Sequence, residues 1–249
     1  MTTITALTGL NRYGEKYVLF ASDSQSSITG ENNLIKNVSY SAKKVFSNKE
    51  KSMIFAYAGK EIFFENQALV IRNKADEFIA SKERPATDIR EELELLDHMV
   101  HYEEIRDGKA IERNQYLFAG KGDLILNSSN IPYITFGTIR HETCGSGSIC
   151  IDLNKDQDNF IQDLTSGNFE GVLRREFGHI LEAARNDRFT GGHFDFGILT
   201  KERVKIYRNF AKLRPDKSEE ELFEVGKIKL LINPLNRTKG VRSIDDLIN

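Results

Sequence analysis

The sequence predicts an α+β protein in which antiparallel sheets pack against helices. Three observations carry this. Strand-like and helix-like stretches come in blocks instead of alternating singly, which disfavours βαβ units. Tyr17-Val18-Leu19-Phe20-Ala21 is apolar without interruption, as in a strand covered on both faces. Phe169, Val172, Leu173, Phe177, Ile180, Leu181 and Ala184 fall on one helical stripe, which needs a partner surface. Two stacked sheets between two helical layers account for all three.

Residues 2–9 and 16–22 read as strands joined by a turn at Asn11-Arg12-Tyr13-Gly14. Short strands follow near Lys44-Val45-Phe46 and Met53-Ile54-Phe55-Ala56-Tyr57, the second ending at Gly59. Helical pattern runs from about 61 to 81 and from about 87 to 104, with Pro85 as the break. After an Asp107-Gly108 turn come strands near 115–120, 123–127 and 132–136. Helical pattern returns after Ser148 and again at 169–185. Strands at about 193–199 and 203–208 form a hairpin around Lys201-Glu202. The tail from Asn209 is more charged, with a short helix expected over Ser218–Val225. We read residues 1–208 as one domain and 209–249 as an extension packed on it or trailing from it.

The chain has 249 residues, 39% of them hydrophobic, enough for a sizeable core. Its net charge of −2 is spread over interspersed acids and bases, which disfavours a nucleic-acid footprint or a polybasic membrane patch. No apolar run approaches the roughly 20 residues of a spanning helix, and no secretory signal is expected. Cys144 and Cys150 are too few for a disulfide framework. A cytosolic protein with reduced thiols is the expectation.

Candidate chemistry begins at Met1-Thr2-Thr3-Ile4. Removal of Met1 would leave Thr2 with two catalytic groups, a hydroxyl nucleophile and its own α-amine as base. An α-amine has an ordinary pKa of about 7.7–8.0, suited to base work near neutrality. A Met-Thr start on a β-branched strand is also ordinary strand material. Asp23 follows the apolar strand and could hold a cation or cap a turn. Lys44 enters an apolar strand, where it would need a carboxylate partner or would snorkel to the surface. Gly59, between a strand and a helix, is either an oxyanion donor or a loop glycine. Gly145-Ser146-Gly147-Ser148 resembles a phosphate cradle without the Gly-Lys-Ser/Thr that would follow it. It could equally let a hydroxyl approach a crowded centre. His98, His101 and His141 lack metal-ligand spacing and read as a solvated polar face, so no metal is expected.

Taken in order, these segments resemble the proteasome β subunits and their bacterial HslV relatives, the N-terminal threonine branch of the Ntn hydrolases. Thr2-Thr3-Ile4 looks like the mature start of that family. Ala21-Ser22-Asp23-Ser24-Gln25-Ser26-Ser27, Lys44-Val45, Ala58-Gly59 and Gly145-Ser146-Gly147-Ser148 resemble successive family segments. Asn186-Asp187-Arg188-Phe189-Thr190-Gly191-Gly192 resembles its D-x-x-S-G-G turn, with threonine for serine. The resemblance spans Thr2 to about Tyr207. It implies a four-layer αββα sandwich and a threonine endopeptidase without cofactor. Thr2 would be the nucleophile, tuned by Lys44, which Asp23 would pair. Gly59 would donate to the oxyanion. Ser146, Asp187 and Thr190 would surround the Thr2 amine. Ala42, Phe46 and Tyr57 would line the specificity pocket, and the Ser27 backbone would pair with an extended substrate. Partners implied are polypeptide substrates, further copies in a homo-oligomeric ring, and an ATP-dependent unfoldase. Two other readings stay open: an Ntn amidohydrolase or transpeptidase on another amide, and a non-catalytic ring subunit.

Overall fold

The computed structural model describes residues 3–29, 35–48, 51–58, 115–120, 127–129, 133–136, 139–155 and 157–249. Strands β1 (Thr3–Leu10) and β2 (Lys16–Ser22) form a hairpin, with Ile4 opposite Ser22 and Leu10 opposite Lys16. Its turn is built by Asn11, whose Oδ1 accepts from the Tyr13 and Glu15 amides. Gly14 supplies the positive φ of 76° that the turn needs.

Ten further strands follow: β3 (Ser26–Thr29), β4 (Ile35–Ser39), β5 (Val45–Ser47), β6 (Met53–Ala58), β7 (Gln115–Gly120), β8 (Asn127–Ser129), β9 (Tyr133–Phe136), β10 (Ile139–Gly145), β11 (His193–Leu199) and β12 (Val204–Lys212). The helices are α1 (Gln157–Ser166), α2 (Phe169–Asn186), α3 (Glu219–Ile232) and α4 (Pro234–Thr238). A six-stranded sheet has the order β12-β11-β2-β1-β10-β9, a four-stranded sheet runs β5-β6-β7-β8, and β3 pairs with β4. All the described strand pairs are antiparallel. The chain is therefore α+β, as the block pattern predicts.

Alternation along the central strands sends side chains to two cores. Leu7, Tyr17, Leu19 and Ala21 join Phe169, Val172, Leu173, Phe177, Ile180 and Leu181 of α2 beneath the helices. Ile4, Ala6, Val18 and Phe20 meet Val45, Ile54, Ala56 and Leu117 of the four-stranded sheet. Continuous apolarity at 17–21 thus reflects a strand buried on both faces. The tail shares the helical-side core: Phe210, Phe223, Ile244, Leu247 and Ile248 are buried with Phe177.

Several expectations change. Strand β12 runs on to Lys212 and α3 extends to Ile232, past the expected limits. A 3-10 turn occupies Ser146–Cys150, and a regular helix begins only at Gln157. Strand β10 was not expected, because Arg140-His141-Glu142-Thr143 is polar. It forms because β1 offers a full antiparallel ladder, Thr3 opposite Gly145 through Leu7 opposite His141. The expected helices at 61–81 and 87–104, most of the expected 123–127 strand, and His98 and His101 lie outside the described residues. Among the described residues, no helix is long and apolar enough to cross a membrane.

Candidate functional site

The site gathers at the Thr3 end of β1, the centre of the six-stranded sheet. Pairing on one side puts Ser22 and Asp23 beside it, and pairing on the other puts Gly145 and Ser146 there. The Asp23 amide extends the ladder by donating to the Thr3 carbonyl at 3.2 Å. Thr2 and Gly59 lie outside the described residues.

Asp23 is fully buried, so its carboxylate needs donors. Oδ1 accepts from the Thr3 amide at 2.8 Å and from Lys44 Nζ at 2.6 Å. Oδ2 accepts from the Gln25 amide at 3.1 Å and the Gly191 amide at 3.0 Å. Lys44, just ahead of β5, is 4% exposed, whereas Lys43 is exposed. Burial draws Lys44 below the ordinary lysine value of 10.5, although the charge and hydrogen bond of Asp23 push the other way.

This shift has a sign. Between the lowered value and 10.5, the unfolded chain keeps a proton that folded Lys44 has shed. Stability owed to this residue therefore rises with pH across that window. In urea titrations over a pH series, the stability of wild type relative to Lys44→Met should climb through the window. A difference that is flat or falls with pH would contradict it.

A second carboxylate organises the opposite side. Asp187 terminates α2, its amide donating to the Ala183 carbonyl at 2.7 Å. Its Oδ2 accepts from Ser146 Oγ at 2.7 Å and from Thr190 Oγ1 at 2.8 Å. Thr190 Oγ1 also lies 2.5 Å from Thr3 Oγ1. Because the Thr190 hydroxyl gives its proton to Asp187, Thr3 is the donor in that pair. The result is a directed chain, Thr3 to Thr190 to Asp187.

Gly147 is the cleft that lets this chain form. A Cβ there would stand 2.1 Å from Thr3 Oγ1, 2.7 Å from Thr190 Oγ1 and 3.0 Å from Ala183 Cβ. The Gly-Ser run thus admits two hydroxyls to a crowded centre, the role it could take in place of a phosphate cradle. Gly145, at a φ of 90°, donates its amide to Gln115 Oε1 at 2.8 Å and so ties β10 to the second sheet.

The turn 188–192 locks the two halves together. The Ser24 amide donates to the Gly191 carbonyl at 3.1 Å, and Gln25 Nε2 donates to the Arg188 carbonyl at 2.8 Å. Ser24 Oγ accepts from the His193 amide at 2.8 Å.

The structure therefore brings Asp23, Lys44, Ser146, Asp187 and Thr190 to one centre. The residues proposed for substrate contact are placed around it less uniformly. Ala42 is anchored by its amide, which donates to the Ser24 carbonyl at 3.0 Å. Ser27 sits in β3 opposite Val38. Phe46 is buried and stacks on Phe55 with ring centroids 5.3 Å apart. Tyr57 pairs with Tyr116 in the β6–β7 ladder, and its side chain lies outside the described residues.

Sequence reasoning missed Thr3, Gln25, Gln115 and Gly191 as contributors. The alternation of β1 could have signalled Thr3, since it faces away from buried Ile4.

No protein-family model matches the chain, and no curated protein matches it.

Proposed function

We propose that this chain is an N-terminal threonine peptidase with a four-layer αββα fold, similar to the proteasome β and HslV proteins. One observation carries the reading. The buried Asp23 Oδ1 receives both the Lys44 ammonium and the amide of Thr3, one peptide bond from Thr2. That arrangement holds a cation beside the start of β1, where a free α-amine would be kept deprotonated by like charge.

In the proposed reaction, Met1 has been removed. The Thr2 hydroxyl attacks the scissile carbonyl, and its proton passes to the Thr2 amine. Lys44 stabilises charge at the nucleophile, and the Gly59 amide serves the oxyanion. The amine returns the proton to the departing amino group, leaving an ester on Thr2. Water, deprotonated by the same amine, hydrolyses that ester. The chain from Thr3 through Thr190 to Asp187, with Ser146, fixes the surrounding geometry. Water exchange for a competing amine would turn the same centre to transpeptidation.

The reading includes a cytoplasmic homo-oligomeric ring that receives polypeptides from an ATP-dependent unfoldase. Val225, Ile228 and Ile232 of α3, with Leu235 of α4, form an exposed apolar stripe. Such a stripe suits burial between copies.

Intact mass before and after treatment with a threonine-directed β-lactone tests the proposal. The expected result is a chain lighter by one methionine residue that gains a single adduct on Thr2. A chain that retains Met1 and takes no adduct would support the non-catalytic reading instead.

A further inference from the structure

A second cluster of chemistry-bearing side chains lies away from Asp23 and Lys44, under the helices. His141 of β10 and Glu176 of α2 are both fully buried. His141 Nε2 lies 3.1 Å from Glu176 Oε1 and 3.2 Å from Oε2. His179, one helical turn after Glu176, brings Nδ1 to 3.6 Å from Glu176 Oε1. The Glu-x-x-His spacing turns both side chains to one face of α2. The two imidazoles stack, with centroids 5.7 Å apart and planes 23° from parallel.

Burying a carboxylate among apolar side chains is costly unless it is fully satisfied. His141 Nε2 makes one hydrogen bond to this carboxylate, at Oε2. The satisfaction is still incomplete. Among the described residues, Glu176 Oε1 and His179 Nδ1 have no hydrogen-bond partner, and neither do His141 Nδ1 and the buried Tyr17 hydroxyl. Buried orphans of this kind call for a bound species. The two that face each other, Glu176 Oε1 and His179 Nδ1, are both metal donors.

The spacing fits an ion. Donors bound at about 2.0–2.1 Å to a tetrahedral Zn²⁺ stand about 3.3 Å apart. His141 Nε2 and His179 Nδ1, at 3.1 and 3.6 Å from Glu176 Oε1, bracket that edge, and all three donor atoms fall within 4.8 Å of one another. The geometry points to a divalent metal site, ligated by His141, Glu176 and His179, whose two-nitrogen, one-oxygen donor set suits Zn²⁺. His179 is 12% exposed at its side chain, so solvent reaches one edge and can supply the fourth ligand.

The site joins two elements that serve the candidate centre. Four residues beyond His141, β10 ends at Gly145, which precedes Ser146 and Gly147. Helix α2 ends at Asn186, next to Asp187. Zinc would therefore fasten β10 to α2 and hold the Ser146–Asp187 contact in register. Its part is positioning, remote from the reacting atoms.

The test uses the full untagged chain, stripped with chelator and then dialysed against Zn²⁺ or Co²⁺. The expected result is one Zn²⁺ per chain, with a melting temperature raised by about 5–10 °C at a hundredfold excess over Kd. Co²⁺ should give the intense visible bands of a four- or five-coordinate ion. His179→Ala, at the exposed edge, should weaken metal binding at least about a hundredfold, beyond the loss typical of outer-shell changes. Glu176→Gln should do the same. If that variant fails to fold, the wild-type cobalt spectrum and His179→Ala still decide. A chain that binds no zinc, or a cobalt spectrum of the aqueous ion, would overturn the site. So would equal metal uptake by His179→Ala and wild type, which would place the metal elsewhere.

Discussion

Replacing Thr2 with alanine should lower peptide hydrolysis at least about a thousandfold, the scale of losing a catalytic nucleophile. It should leave the melting temperature nearly unchanged. The substitution removes one hydroxyl and leaves the α-amine, Lys44 and Asp23 in place. Thr2→Ser keeps both the hydroxyl and the amine and should retain measurable turnover. Thr3→Ala supplies the contrast, because the Thr3 hydroxyl donates to Thr190 and is not positioned as the nucleophile. Its loss should cost only about tenfold. Rates with a fluorogenic peptide, read alongside intact mass to establish that Met1 is gone from each variant, decide the matter. Turnover by Thr2→Ala within tenfold of wild type would remove the peptidase proposal.

Asp23→Asn should be the most damaging single substitution for stability. At least four donors converge on this carboxylate: Thr3 and Lys44 on one oxygen, Gln25 and Gly191 on the other. An asparagine keeps one accepting oxygen and presents an amide NH₂ in place of the other. Two donors would then face a donor, and Lys44 would lose its charged partner while still buried. Breaking a buried ion pair from one side costs about 3–5 kcal/mol. For a chain of this size that is a fall of roughly 6–20 °C in melting temperature. Lys44→Met alone leaves the carboxylate with its three backbone donors and should cost less. The double variant should recover part of the loss, because it removes the uncompensated charge. A fall under 2 °C for Asp23→Asn, measured by calorimetry, would show that these contacts contribute little to stability.

Much of this architecture can be read from local pattern. The β1–β2 hairpin, the doubly buried strand at 17–21 and the apolar stripe of α2 are all periodic signals, and side-chain direction is a local property of backbone geometry. Lys44 is distinguished from Lys43 by the same alternation. Strand β10 is the failure. Its Arg140-His141-Glu142-Thr143 stretch is polar, yet His141 and Glu142 are buried. Each has a charged partner, Glu176 for His141 and Arg140 for Glu142. Arg140 is a local partner within the same strand, but Glu176 comes from elsewhere in the fold, and local pattern cannot supply it. Glu176 carries a faint signal: it occupies a position on the α2 stripe where an apolar residue belongs. That anomaly is visible in the sequence, but its pairing with His141, 35 residues away, is not.

By itself, the sequence determined the α+β class, the hairpin that opens the chain, and the residue types able to carry threonine chemistry, because periodicity and ionisable groups are properties of short segments. Tertiary structure alone decided which of those groups meet. The Thr3 hydroxyl reaches Thr190 across 187 residues, and the missing side chain of Gly147 makes room for both. Strand register brings Gly145 opposite Thr3 and Ser22 opposite Ile4, and only then can Asp23 bridge Lys44 and the start of β1. A one-residue slip would turn every side chain of β1 to the other face. The site is therefore a property of the pairing between strands, which no single segment contains.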